Sequence, residues 1–149
     1  MIGYLIKPLE RTLQRVQIDD YKSIYKAGGY DCFDAVVFNN KNDTVFVDDE
    51  GLLKPINANN FFFIQGTAHP LCGNGVVLGC NRKGESTDPK VSFEDFAKLV
   101  TQATLRDPNG PTFIHDKLTV IEEILTLDGH APRGWQSVDT SVPPEATEF

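Results

Sequence analysis

The 149-residue chain is 40% apolar and 23% charged, a balance that supports one ordinary core and excludes a largely disordered chain. Its net charge of −7 at pH 7 opposes sequence-independent binding to a phosphate backbone. No stretch approaches the roughly 18 apolar residues of a membrane-spanning helix.

Residues 2–7 read as an opening strand closed by Pro8, and residues 13–18 as its hairpin partner. Asp19 stands where a helix N-cap belongs. Tyr21, Ile24 and Tyr25 then give helical spacing over residues 20–27, and Gly28 and Gly29 stop the helix. Residues 32–38 and 44–47 read as two strands joined by the polar turn at residues 39–43. After the acidic turn Asp48, Asp49 and Glu50, residues 52–54 continue the meander as far as Pro55. Phe61, Phe62, Phe63 and Ile64 form a fully apolar strand. Alternation sends Phe61 and Phe63 to one side and Phe62 to the other. Turn clusters follow at residues 66–75, then a strand at residues 76–80 and a polar loop at residues 81–90.

Ser92 reads as an N-cap for a helix carrying Phe93, Phe96, Ala97, Val100 and Ala103 on one stripe. The run from Asp107 to Pro111 breaks it. Residues 113–127 read as a further helix with two apolar stripes, one through Ile114, Leu118, Ile121 and Leu125, the other through Phe113, Val120, Ile124 and Leu127. A helix apolar on two sides is either sandwiched in its own domain or shared with a partner. Phe113, Leu118, Ile121, Ile124 and Leu125 are therefore the interface candidates, for a host protein or for a second copy. The expected architecture is α+β: one domain over residues 1–130, with a mainly antiparallel sheet of about five to seven strands and two to three helices on one face. Residues 131–149 read as a flexible tail.

Several residues invite chemical readings. Asp48, Asp49 and Glu50 are hard oxygen donors suited to a divalent cation, but three adjacent acids also make an ordinary solvated turn. His69, Cys72 and Cys80 are soft zinc donors needing a fourth ligand from Cys32, His115 or His130, and no CxxC knuckle accompanies them. His69 with Cys72 could act as base and nucleophile, yet they stand in a turn-rich segment that does little to align them. The amides around Gly66 and Gly73-Asn74-Gly75 suit an anion, with Lys54, His69, Asn74, Arg82 and Lys83 the ligand-binding candidates, although no phosphate-loop pattern occurs. The three phenylalanines could stack on nucleobases, a reading the acidic balance opposes. No catalytic constellation stands out and no cofactor is implied.

The odd cysteine count without paired spacing fits a reducing compartment, and the N-terminus lacks the pattern of a secretory leader, so a cytoplasmic setting is expected. The segments DDEGLLKP (residues 48–55), GVVLGCNRKGES (residues 75–86) and SFEDF (residues 92–96) resemble a small α+β domain of phages, prophages and mobile elements known as a domain of unknown function. The resemblance runs over roughly residues 1–100. It implies expression in a bacterial host cytoplasm and carries no catalytic residue over. The expected function is that of a non-enzymatic accessory protein binding a host component. The alternatives are a binder of a nucleotide-like signal with an inter-subunit pocket, and a virion component.

Overall fold

The computed structural model describes residues 1–29, 33–48, 56–107, 109 and 112–127. Strands β1 (Ile2–Lys7) and β2 (Thr12–Gln17) form the N-terminal hairpin, in register from Ile2 opposite Gln17 to Lys7 opposite Thr12. Helix α1 (Tyr21–Gly28) starts at Asp20, one residue later than Asp19, because the Asp20 carboxylate accepts from the N–H groups of Lys22 and Ser23. Gly29 ends it in the left-handed conformation, φ 74°, and its N–H donates to the Tyr25 carbonyl at 2.8 Å. Strands β3 (Phe33–Val37) and β4 (Thr44–Asp48) pair antiparallel. Then come β5 (Phe61–Ile64), β6 (Leu71–Cys72), β7 (Gly75–Cys80) and β8 (Ser86–Thr87), the last two pairing within the loop expected at residues 81–90.

The expected helix from Ser92 to Ala103 is shorter than its spacing suggests. Ser92 does cap α2 (Phe93–Ala97), its hydroxyl accepting from Asp95 N–H at 3.1 Å. From Val100 the chain becomes β9 (Val100–Leu105). Val100, Thr101 and Thr104 lose rotamer freedom in a helix, and β5 offers a full ladder instead, from Ile64 opposite Val100 to Phe61 opposite Ala103. Residues 113–127 are not a helix either. They form β10 (Phe113–Asp116) and β11 (Thr119–Leu125), separated by Lys117 and Leu118. The segment is rich in β-branched residues, and both sheets have an edge to receive it. β10 pairs with β9 and β11 with β2, so pairing outweighs the two apolar stripes.

Two sheets result. The larger has seven strands, in the order β11-β2-β1-β7-β4-β3 with β8 beside β7; the smaller has four, β10-β9-β5-β6. The architecture is α+β as expected, but the strands divide between two sheets, and the β11–β2 pair is parallel where the other strand pairs are antiparallel.

The helices lie on opposite faces of the larger sheet, not on one. Alternation along β1 shows this. Tyr4 and Ile6 join one cluster with Leu13, Val45, Val77, Phe62 and Ile64 of the small sheet, and Phe93 and Phe96 of α2. Leu5 joins another with Val16, Ile18, Val76 and Leu78, and Ile24 and Ala27 of α1. Both faces of β1 are therefore buried, as its apolar run requires. At Gly75 the sheets approach closely: a Cβ there would lie 2.6 Å from the Phe62 ring.

A buried carboxylate ties the layers together. Asp43 is fully buried in the β3–β4 turn and accepts from the N–H groups of Lys90 (2.8 Å) and Val91 (2.9 Å) and from Asn39 Nδ2 (2.9 Å). The Tyr4 hydroxyl donates to the Val91 carbonyl at 2.6 Å. The segment that leads into α2 is thereby held at two adjacent points.

Candidate functional site

The small sheet buries one face and displays aromatic rings on the other. Phe62 and Ile64 of β5 point into the core, so Phe61 and Phe63 point outward. On the central strand β9, Thr101 and Ala103 share that outer face, because Phe63 stands opposite Thr101 and Phe61 opposite Ala103. His115 is opposite Ala103 and Phe113 opposite Leu105, which places both rings of β10 on the same side.

The small side chain of Ala103 decides the packing. It lets rings from the two flanking strands meet above the central one. The Phe61 and Phe113 centroids are 5.3 Å apart at 67°, and those of Phe63 and His115 are 5.5 Å apart at 70°. Both are edge-to-face pairs, the arrangement that ring quadrupoles favour. Phe61 and Ala103 are buried, whereas Phe63 and Phe113 are half-buried and His115 is exposed. The Thr101 hydroxyl and His115 Nδ1 are hydrogen-bonded at 3.0 Å, the hydroxyl donating to a bare nitrogen or accepting from a protonated one. This patch can take a flat or apolar group by stacking and burial, with His115 as a polar handle.

The other candidate residues are scattered. Asn74 precedes β7 and donates from Nδ2 to the Gly28 carbonyl at the end of α1 (3.3 Å), a contact within the fold. Arg82 and Lys83 lie past the opposite end of β7 in an exposed turn organised by Asn81, whose Oδ1 accepts from the N–H groups of Lys83 and Glu85. β7 has six residues and spans about 20 Å, so one small anion cannot engage both ends. His69 is exposed before β6, with Nδ1 2.9 Å from the Pro70 carbonyl. Lys54, Asp49, Glu50, Cys32 and His130 lie outside the described residues. Among those described, no three His, Cys, Asp or Glu side chains gather as a metal site.

Cys72 lies on β6 beside one end of β7 and Cys80 at the other. Burial, and then the nearby charge of Asp48, push the Cys72 thiol above its ordinary pKa. A nucleophilic cysteine needs the opposite shift. Of the interface candidates, Leu118 packs against the cluster between the sheets and Leu125 against the one beneath α1. Ile121 and Phe113 are half-buried, and Ile124 is 45% exposed.

Residues 1–101 match the domain family described as Domain of unknown function (DUF3846), which is well over half of the chain. The chain belongs to the DUF3846 family. No curated protein and no solved structure matches it. The DUF3846 match ends inside β9, so Phe113 and His115 of the aromatic patch come from β10, a strand beyond it. The Phe61–Phe63 run pointed to half of this patch. The other half escaped detection because a helical reading of residues 113–127 separates Phe113 and His115 from β5.

Proposed function

We propose that this DUF3846 protein is a non-enzymatic accessory protein of a phage or mobile element, working in the bacterial host cytoplasm by binding a host protein. The observation that supports this reading is the ring patch of Phe61, Phe63, Phe113 and His115 on the outer face of the small sheet. Half-exposed aromatic rings are enriched at the anchoring points of protein interfaces. The mobile-element setting rests on the resemblance carried by residues 48–55, 75–86 and 92–96.

Affinity capture from a bacterial lysate tests the proposal, with the unaltered chain and a Phe63→Ser, His115→Ser double variant side by side. One protein is enriched by the first and lost with the second, while the variant still unfolds in one cooperative transition. Recovery of the same protein by both would remove the patch from the reading. The same rings favour a second reading, capture of a nucleotide-like signal through its base. Thermal shift with a nucleotide panel separates the two: a ligand at 100 times its dissociation constant stabilises by about 2.7 kcal/mol.

A further inference from the structure

Strand β11 is the outermost strand of the seven-stranded sheet, and β2 is its one partner among the described residues. Thr119 N–H donates to the Arg11 carbonyl at 2.7 Å, so alternation turns the peptide groups of Val120 away from β2. Register shifts between Ile121 and Leu125. There Arg15 donates to the Glu122 carbonyl (2.7 Å) and Gln14 Nε2 to the Glu123 carbonyl (3.0 Å). Side chains of β2 thus satisfy the carbonyls that the irregularity takes out of the ladder. Val120 lies opposite Leu13 and Leu125 opposite Val16, residues on opposite faces of the sheet, so Ile124 shares the face of Val120. Val120 is 37% and Ile124 45% exposed, and between them stand two exposed acids, Glu122, with the Arg15 guanidinium 3.9 Å from its carboxylate, and Glu123.

We propose that the edge of β11 left unpaired among the described residues takes up an extended, basic segment of a partner protein as an added strand. Main-chain hydrogen bonds would supply affinity, and side chains at alternate positions selectivity. Charge selects the occupant. Antiparallel pairing of two copies about the centre of β11 brings four carboxylates, Glu122 and Glu123 of each, to the shared axis. Like charges directly opposite are destabilising in a sheet, and a net charge of −7 on each copy adds to the repulsion. Lysine or arginine at those positions turns the repulsion into attraction. β-Branched residues between them cover Val120 and Ile124.

The probe is a synthetic peptide alternating lysine and valine, matched to the seven residues of β11 and followed by fluorescence anisotropy and backbone amide shifts. Two companion peptides carry glutamate for lysine, or the same lysines with alternate backbone nitrogens methylated. The basic peptide is expected to bind with amide shifts centred on Thr119–Leu125, and the methylated and acidic peptides at least about tenfold more weakly. The Glu122→Lys, Glu123→Lys variant should lose the basic peptide by a similar factor, while Phe63→Ser keeps it, which separates this edge from the ring patch. Equal binding of the methylated peptide shows charge attraction without an added strand and overturns the proposal. So do shifts spread over the surface, no binding of the basic peptide, or a dimer mass in solution abolished by the β11 variant. The methylated-peptide comparison uses the unaltered protein and stands even if the variant fails to fold.

Discussion

The two sheets are made of similar strands and end differently. The seven-stranded sheet has α1 on one face and the small sheet with α2 on the other, so Leu5 and Ile6, neighbours on β1, are both buried. The four-stranded sheet is covered on its core face, where Phe62 is fully buried, while Phe63 beside it is half-buried in a ring pair with His115. An apolar strand thus shows that two faces want cover without showing which will find it. The face and the edge that have no cover among the described residues are both built with residues past the family match.

The sharpest test of this contrast is a pair of substitutions on one strand. Phe62→Ala should cost about 3–5 kcal/mol in urea unfolding, from lost burial and the cavity left behind. Phe63→Ala should cost about 1 kcal/mol. Equal losses would mean that the outer face is as buried as the inner one. Next in size is Asp43→Ala, which leaves the N–H groups of Lys90 and Val91 without their acceptor and should cost about 3 kcal/mol. A negligible loss would show that the segment leading into α2 is held by apolar packing alone. Gly75→Ala drives a methyl into the Phe62 ring where the sheets meet and should cost about 1–3 kcal/mol. The midpoint of thermal unfolding reads this directly.

The smallest effect is expected at Tyr4. Tyr4→Phe removes the hydrogen bond to the Val91 carbonyl, worth about 1 kcal/mol. Burial first, then the charge of Asp43, pushes the Tyr4 hydroxyl up to about 12 from its ordinary 10. The folded form therefore holds this proton more tightly than the unfolded chain. That contribution is complete below pH 10 and fades as pH rises towards 12. The difference in urea midpoint between the unaltered chain and Tyr4→Phe should shrink across that window. A difference that stays constant would place the Tyr4 hydroxyl in an ordinary aqueous setting.

Much of the fold was legible locally. The β1–β2 hairpin, the glycine end of α1, the N-cap of α2, the polar β3–β4 turn and the Phe61–Ile64 strand each announce themselves through turn residues, capping oxygens or two-residue alternation. The candidate site was half legible. The three phenylalanines already implied opposed faces, which the structure bears out. Phe113 and His115 gave no such signal, because apolar residues at three- and four-residue spacing satisfy a helical stripe as readily as two short strands. The basic candidates Arg82 and Lys83 looked close to Asn74 in the sequence, but an extended strand carries them away from it.

The sequence by itself determined an α+β chain with strand-rich turns, two capped helices and an acidic surface, since capping, turn chemistry and alternation are properties of a few neighbouring residues. Only the tertiary structure decided that residues 113–127 become strands on two different sheets, that the helices take opposite faces, and which apolar face the described residues leave open. Those outcomes depend on which ladder edges and which cover the rest of the fold supplies, and free edges and cover are made by residues far apart in the chain.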